Sequence, residues 1–412
     1  MSLWKNTTWN LAGMVIPTLV AIPAMGVMSR VLGVERFGLF MLLFALLGYV
    51  TIFDVGITRA IIRTIALNQG DREKSREVIG TAFWVVLSLS ILASTLLYLS
   101  LPSLVHWLNI TSEVTGDARS ALLKTVFIIP PLLLSLIFFS YLEGTQQFAK
   151  LNVYKTITSS LVALLPVLAL FIEETLTSAI FGLLLSRFIT LGFAYFACIK
   201  DLGYRFFSYK SQILKELLSF GSWVTLSNII SPIMTYFDRF ILSHFMGAQR
   251  VAFYTAPAEA VARMSILPGA LAKTIFPLFS GNQSESSLIA SKAYKGLLIA
   301  VMVCALPVFL AADQIMAMWL GEPFRDESGV VLRILLIGFL FNSLAQIPFA
   351  RIQAYGKARL TAIIHLFEVI PYLIVLGSFT YLWGISGTAL AWTVRVTSDF
   401  IVLEYFSRKL RV

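Results

Sequence analysis

The chain has 412 residues, 58% hydrophobic and only 13% charged, and its 32 Lys and Arg stand against 22 Asp and Glu for a net +10. A soluble domain carries roughly 25% charged residues, so this chain has about half the charge needed to cover a water-facing surface along its whole length. That excludes a soluble enzyme with a single anchor, and uninterrupted apolar runs of about 20 residues exclude the alternating strands of an outer-membrane barrel.

The predicted class is an all-α polytopic membrane protein. In chain order, runs long enough to cross the hydrocarbon lie near 9–30, 37–58, 78–100, 119–142, 152–172, 176–199, 217–242, 250–278, 293–315, 329–350, 358–382 and 384–406. That is about twelve transmembrane helices. The first run has no small-residue cleavage site after it and reads as a retained helix rather than a signal peptide. The second belongs to a stretch from Arg36 to Ala66 that carries Asp54 and Arg59 late, so its second half reads as a bend or an exposed extension. The domain division is an N-terminal six-helix lobe over 1–199, a cytoplasmic linker over 200–216 and a C-terminal six-helix lobe over 217–412. With both termini cytoplasmic, Lys and Arg favour the inner segments by roughly three to one, as the positive-inside rule requires. Cys198 and Cys304 sit in apolar runs, and His106, His244 and His365 are scattered, so no metal or disulfide framework is expected.

An internal repeat is legible. A shift of 214 lays SRVLGVERFGLF from Ser29 on SHFMGAQRVAFY from Ser243, matching Gly33 to Gly247, Arg36 to Arg250 and Arg59 to Lys273. A shift of 207 lays QQFAK (Gln146 to Lys150) on QAYGK (Gln353 to Lys357). Each shift moves a segment by an even number of spans, so the two lobes are expected to be parallel repeats, a transporter design with a substrate path between them.

Charges inside spans are costly and usually face an interior cavity. The candidates are the arginines 59, 63, 187, 239, 263, 351 and 395 and the acids Asp54, Asp238, Glu259, Glu368 and Asp399. Glu259 and Arg263 have the favoured i,i+4 ion-pair order, and Arg395 and Asp399 the reverse order; either pair serves a structural bridge equally well. Arg59 and Arg63 share one helical face, so they snorkel to the inner surface or converge on an anion. Asp238 and Arg239 are adjacent and point about 100° apart, so one is expected to tie helices together while the other faces the cavity. The prolines within runs, at 17, 23, 130, 131, 166, 232, 257, 268, 307, 348 and 371, read as hinge candidates, with Pro17, Pro23 and Pro232 of the first and seventh spans the better ones. The excess of deep arginines points to an anionic, phosphorylated substrate held by the planar guanidinium fork. The carboxylates are then free to carry a coupling proton or sodium ion. No P-loop, HExxH or GxSxG motif is present, so no catalytic residue and no cofactor is expected.

The stretches SRVLGVERFGLFMLLFALLGYVTIFDVGITRAIIRTIA and FGSWVTLSNIISPIMTYFDRFILSHFMG, followed by FYTAPAEAVARMSILPGALAKTIFPLFS, resemble the O-antigen (O-unit) and polysaccharide-transporter flippases. These belong to the superfamily that includes multidrug and toxin extruders and the lipid II flippase. The resemblance covers the full length, and its most specific part is Tyr236-Phe237-Asp238-Arg239. It implies a non-enzymatic, MATE-like protein of the bacterial cytoplasmic (inner) membrane. Such a protein moves an undecaprenyl-diphosphate-linked oligosaccharide from the inner to the outer leaflet, coupled to an ion gradient. The partners it implies are membrane lipid and the polysaccharide polymerase and chain-length machinery, with no nucleic acid. The alternatives are a drug/cation antiporter of the same superfamily and an integral-membrane glycosyltransferase or polymerase. The basic cavity argues against the antiporter, and short outer loops argue against the enzyme.

Overall fold

The computed structural model describes the backbone of residues 3–203, 208–281 and 286–409, with side chains except at 3–14, 220–232, 273, 277, 278, 280, 281, 286 and 358. The expected linker therefore lies partly outside the described residues, at 204–207, as does the side chain of Lys273. Every regular element among the described residues is helical, and eight helices are long and apolar enough to cross a membrane. The chain is a multi-pass membrane protein, and it divides into two compact units, 1–237 and 238–412.

In the first unit, α1 (Leu3–Val50) is one long apolar helix broken at Gly33, whose φ of 72° lies in the left-handed region. A residue with a Cβ is disfavoured there, which is why glycine stands at the break. A 3-10 turn over Thr51–Asp54 and the left-handed pair Val55 and Gly56 then bend the chain into α2 (Ile57–Leu67). This is the bend that the late Asp54 and Arg59 signalled. α2 buries Ile57, Ala60, Ile61, Thr64 and Ile65, the spacing of a one-sided helix, and leaves Arg59 and Arg63 on its exposed face. α3 (Arg72–Trp107) starts where Asp71 accepts the Lys74 N–H at 2.9 Å, an N-cap that satisfies one orphan donor. α4 (Thr115–Val126) and α5 (Ile129–Gly144) follow with a short break between them. Pro130 and Pro131 fall in the first turn of α5, where no intrahelical N–H is lost, so they start a helix rather than hinge one. α6 (Phe148–Leu170) and α7 (Leu176–Leu202) pack closely enough that a Cβ on Gly182 would lie 2.3 Å from the Leu165 carbonyl oxygen. Small residues that let backbones approach are the usual cement of membrane helices.

α8 (Ser211–Met246) leads into the second unit. It is followed by α9 (Ala248–Met264), α10 (Ile266–Gly281), α11 (Ser286–Leu310), α12 (Ala312–Leu320), α13 (Arg325–Ala354) and α14 (Ala358–Lys409). α14 is broken at Gly384 (φ 59°) into two limbs. Arg333 of α13 grips Asp313 of α12 through two hydrogen bonds of 2.9 and 2.7 Å, which hold the Asp313 carboxyl below the usual carboxylate range.

The internal repeat is visible in the backbone. Gly247 (φ 86°), like Gly33 (φ 72°), lies in the left-handed region, and the 214 shift carries residues 34–50 of α1 onto α9. Beyond α3 the register is 210: it carries Thr115–Gly144, the α4–α5 pair, onto α13, and the start of α6 onto the start of α14. The match of Gln146 with Gln353 at a shift of 207 is therefore corrected. The left-handed residue of the turn after α5 is Gln146, and its counterpart after α13 is Gly356. Turn geometry fixes the equivalence, and a short string of similar letters does not.

The same ion pair recurs in both units. Arg36 Nε lies 3.2 Å from Asp117, and the equivalent Arg250 lies 2.6 Å from Glu327. Asp117 also accepts the Leu176 and Thr177 N–H groups, each at 2.9 Å, so one carboxylate caps the start of α7 while pairing with α1. Among the described residues Glu327 pairs only with Arg250, and it is 44% exposed. We expect D117A to lower stability by about 3 kcal/mol, the scale of lost charged hydrogen bonds. E327A should cost no more than about 1 kcal/mol. Thermal unfolding of the two purified variants in detergent checks the order.

Candidate functional site

Polar side chains that the sequence scatters are brought into one seam in the second unit, across α8, α9 and α14. Asp238 and Arg239, each only 4% exposed, lie near the end of α8. Asp238 accepts a hydrogen bond from the Tyr254 hydroxyl of α9 and a 2.8 Å bond from the Arg239 N–H. Arg239 Nη2 donates to Glu259 Oε1 at 2.8 Å. Both members of the adjacent pair thus tie α8 to α9, where one was expected to face a cavity. Glu259 is shared: its other oxygen lies 3.7 Å from Arg263 one turn on, the i,i+4 pair that the spacing predicts.

The seam continues into α14. Arg395 lies near enough to Asp238 to act on it, and its guanidinium stacks 5.2 Å over the ring of Tyr372. Tyr372 in turn lies within electrostatic reach of Tyr254. Farther along, Glu368 on the first limb and Asp399 on the second face each other, and His365 Nε2 lies 3.4 Å from Asp399 Oδ1. Between the limbs is a cavity of about 400 Å³ lined by Glu368, Tyr372, Arg395, Ser398 and apolar side chains.

Other candidates lie elsewhere. Arg351 is buried in the last turn of α13 and stacks 5.9 Å over Tyr355. It acts on a separate group, in which the Tyr294 hydroxyl bonds Glu404 at 2.6 Å. In the first unit, Asp54 is buried and accepts the Thr58 N–H and hydroxyl, which makes it the cap of α2. Arg59 lies within reach of that charge but is exposed, as is Arg63. Arg187, midway along α7, has a buried Nε and makes no hydrogen bond or ion pair among the described residues. The cationic excess of the deep set therefore resides in the first unit, with three arginines to one aspartate. The seam of the second unit holds Arg239, Arg263 and Arg395 against four carboxylates.

The repeat separates what the fold needs from what it does not. At the 214 register, Asp238, Arg239, Glu259 and Arg263 stand where the first unit has Ala24, Met25, Ala45 and Tyr49. Ala24, Met25 and Ala45 are buried, so the same helices pack there with no charge at all. The seam is an addition to the architecture rather than a requirement of it. The sequence reading sets His365 aside as one of three scattered histidines and does not single out Tyr372. One turn separates His365 from Glu368, a signal that was available; the approach of Asp399 depends on α14 folding back at Gly384.

Architecture and seam together define a multi-pass membrane protein built on an internal repeat. The chain belongs to the family of polysaccharide biosynthesis proteins, which matches residues 3–283. It is 38% identical over 414 residues to a Shigella flexneri protein described as "Putative O-antigen transporter", covering 100% of this chain and 99% of that one. Among solved structures, it is similar to a multidrug-resistance MATE transporter of the MOP superfamily in an inward-facing conformation (TM-score 0.81, 17% identity, 97% of each chain). It is also similar to the lipid II flippase MurJ in an inward closed conformation (TM-score 0.80, 15% identity, 98% of this chain and 87% of that one). These two share the fold. The relatives are transporters and flippases rather than catalysts.

Removing one partner of a buried ion pair strands the other charge and costs about 3–5 kcal/mol, whereas replacing both with apolar side chains is often close to neutral. We expect R239M and E259M each to reduce the yield of folded protein sharply and the double variant R239M/E259M to recover much of it. Size-exclusion profiles with thermal midpoints of the three variants measure this coupling.

Proposed function

We propose that this protein is a flippase that carries an undecaprenyl-diphosphate-linked oligosaccharide, an O-antigen-type repeat unit, from the inner to the outer leaflet of the bacterial cytoplasmic membrane. It works by ion-coupled alternating access on twelve spans with both termini cytoplasmic. The observation that carries this reading is the 38% identity along the whole chain to the O-antigen transporter.

The chemistry is consistent with that cargo. A diphosphate headgroup cannot enter hydrocarbon without counter-charge, since an isolated ion costs tens of kcal/mol there. Arg187 is half-buried, with a buried Nε that has no protein partner among the described residues, so it is available to an anion. Arg59 and Arg63, one turn apart on the exposed face of α2, present two more forks matched to phosphate oxygens. Arg239 and Arg263 are neutralised by Glu259 and serve the headgroup less directly. The polysaccharide polymerase and chain-length machinery, as partners that receive the translocated unit, are part of the proposal.

The test is depletion of the protein in its host, followed by locating the lipid-linked repeat unit. Accumulation in the inner leaflet supports the flippase. Accumulation of unpolymerised units in the outer leaflet would overturn it in favour of a polymerase. We also expect R187A and R59A/R63A to lower export at least about tenfold, equivalent to about 1.4 kcal/mol of lost binding. Membrane insertion, followed by immunoblotting of membrane fractions, should be unchanged.

A further inference from the structure

We propose that His365, Glu368 and Asp399 form a proton-binding site inside the second unit, with one proton held between the two carboxyl groups and His365 as its relay. The inference rests on the transporter reading above and deepens it by naming the coupling ion and its carrier.

The geometry carries it. An imidazole nitrogen of His365 and one oxygen from each of Glu368 and Asp399 lie within 4.8 Å of one another. Both Glu368 oxygens and Asp399 Oδ1 are buried atoms with no donor among the described residues. Two carboxyl groups that face each other out of water cannot both be ionised without a cation between them. A single proton between Glu368 and Asp399 gives one carboxyl an O–H to donate and the other an oxygen to accept it. His365 Nε2, 3.4 Å from Asp399 Oδ1, is positioned to take that proton or return it. The ring is held by Phe349 of α13, which stacks on it at 5.8 Å between centroids.

The surrounding charges favour a proton over a metal ion. Arg395 acts on Glu368 from the second limb of α14, and a divalent ion beside that guanidinium would be repelled. From α8, Asp238 and Arg239 balance each other, and from α9 the Tyr254 hydroxyl is committed to Asp238. Tyr294 of α11, Arg351 of α13 and Glu404 with Arg408 form their own group farther along α14. Glu259, a further carboxylate of the seam, is held between Arg239 and Arg263.

The site also lies off the architecture. At the 210 register Glu368 corresponds to Thr158 of the first unit. Glu368 lines the cavity between the limbs of α14.

The experiment is infrared difference spectroscopy of the purified full-length protein across a pH titration, reading the carbonyl stretch of a buried carboxylic acid. We expect the band at neutral pH in the wild type, its loss in E368Q and in D399N, its retention in E259Q, and a shifted titration midpoint in H365N. A band unchanged in E368Q and D399N would overturn the site. So would stabilisation of the wild type, but not of those variants, by sodium or zinc in thermal unfolding. The spectroscopic readout does not depend on the cargo. If the band behaves as expected while O-unit export is intact in E368Q, the coupling role of the site fails and the flippase reading, tested by depletion, stands. If export is lost with the band unchanged, the proton site fails and the flippase reading stands.

Discussion

A charge in hydrocarbon must meet an opposite charge or a ligand, and the Arg239–Glu259 bond is where this constraint is met most directly. It joins α8 to α9 at 2.8 Å, from the buried Arg239 to the half-buried Glu259. Around it the other charges fall into order. Asp238 is satisfied by Tyr254 and the backbone, Arg263 shares Glu259, and Arg395 is laid on Tyr372. Such a seam is a poor source of net stability, because burying ions costs nearly what pairing them returns. Its persistence in a unit whose repeat partner packs with alanine and methionine points to use rather than to folding.

The repeat gives that argument its control. Two halves of similar helical plan share glycine breaks, helix boundaries and an Arg–acid pair at equivalent places, and these are the features the fold requires. What differs between them is charge. One unit keeps exposed or unpartnered cations at Arg59 and Arg187, suited to phosphate. The other keeps carboxylates and a histidine, suited to a proton. On the proposed reading, cargo and coupling ion would fall to different halves of one duplicated design.

Most of the fold was legible in the sequence because hydrocarbon demands long apolar runs, and charge deficit and run length report them directly. The bend after α1 was announced by Asp54 and Arg59. The i,i+4 bridge of Glu259 and Arg263 was readable from spacing alone. The second repeat match failed by three residues because local letters resembled one another while the left-handed turn residue, Gln146 or Gly356, set the true register. Pro130 and Pro131 were misread as hinges because a run of apolar residues hides a helix start. The meeting of His365 with Asp399 was not readable, since it depends on a helix folding back at Gly384.

The central claim is that the chain moves a lipid-linked oligosaccharide across a bilayer. Its most direct measurement is reconstitution of the purified protein into vesicles holding a labelled polyprenyl-diphosphate oligosaccharide, with an imposed proton gradient and an added glycosidase outside. The account predicts that the sugar protected in the inner leaflet becomes accessible to the enzyme with time, and faster with the gradient than without it. A protected fraction equal to that of protein-free vesicles, alongside gradient-driven movement of an organic cation, would contradict it.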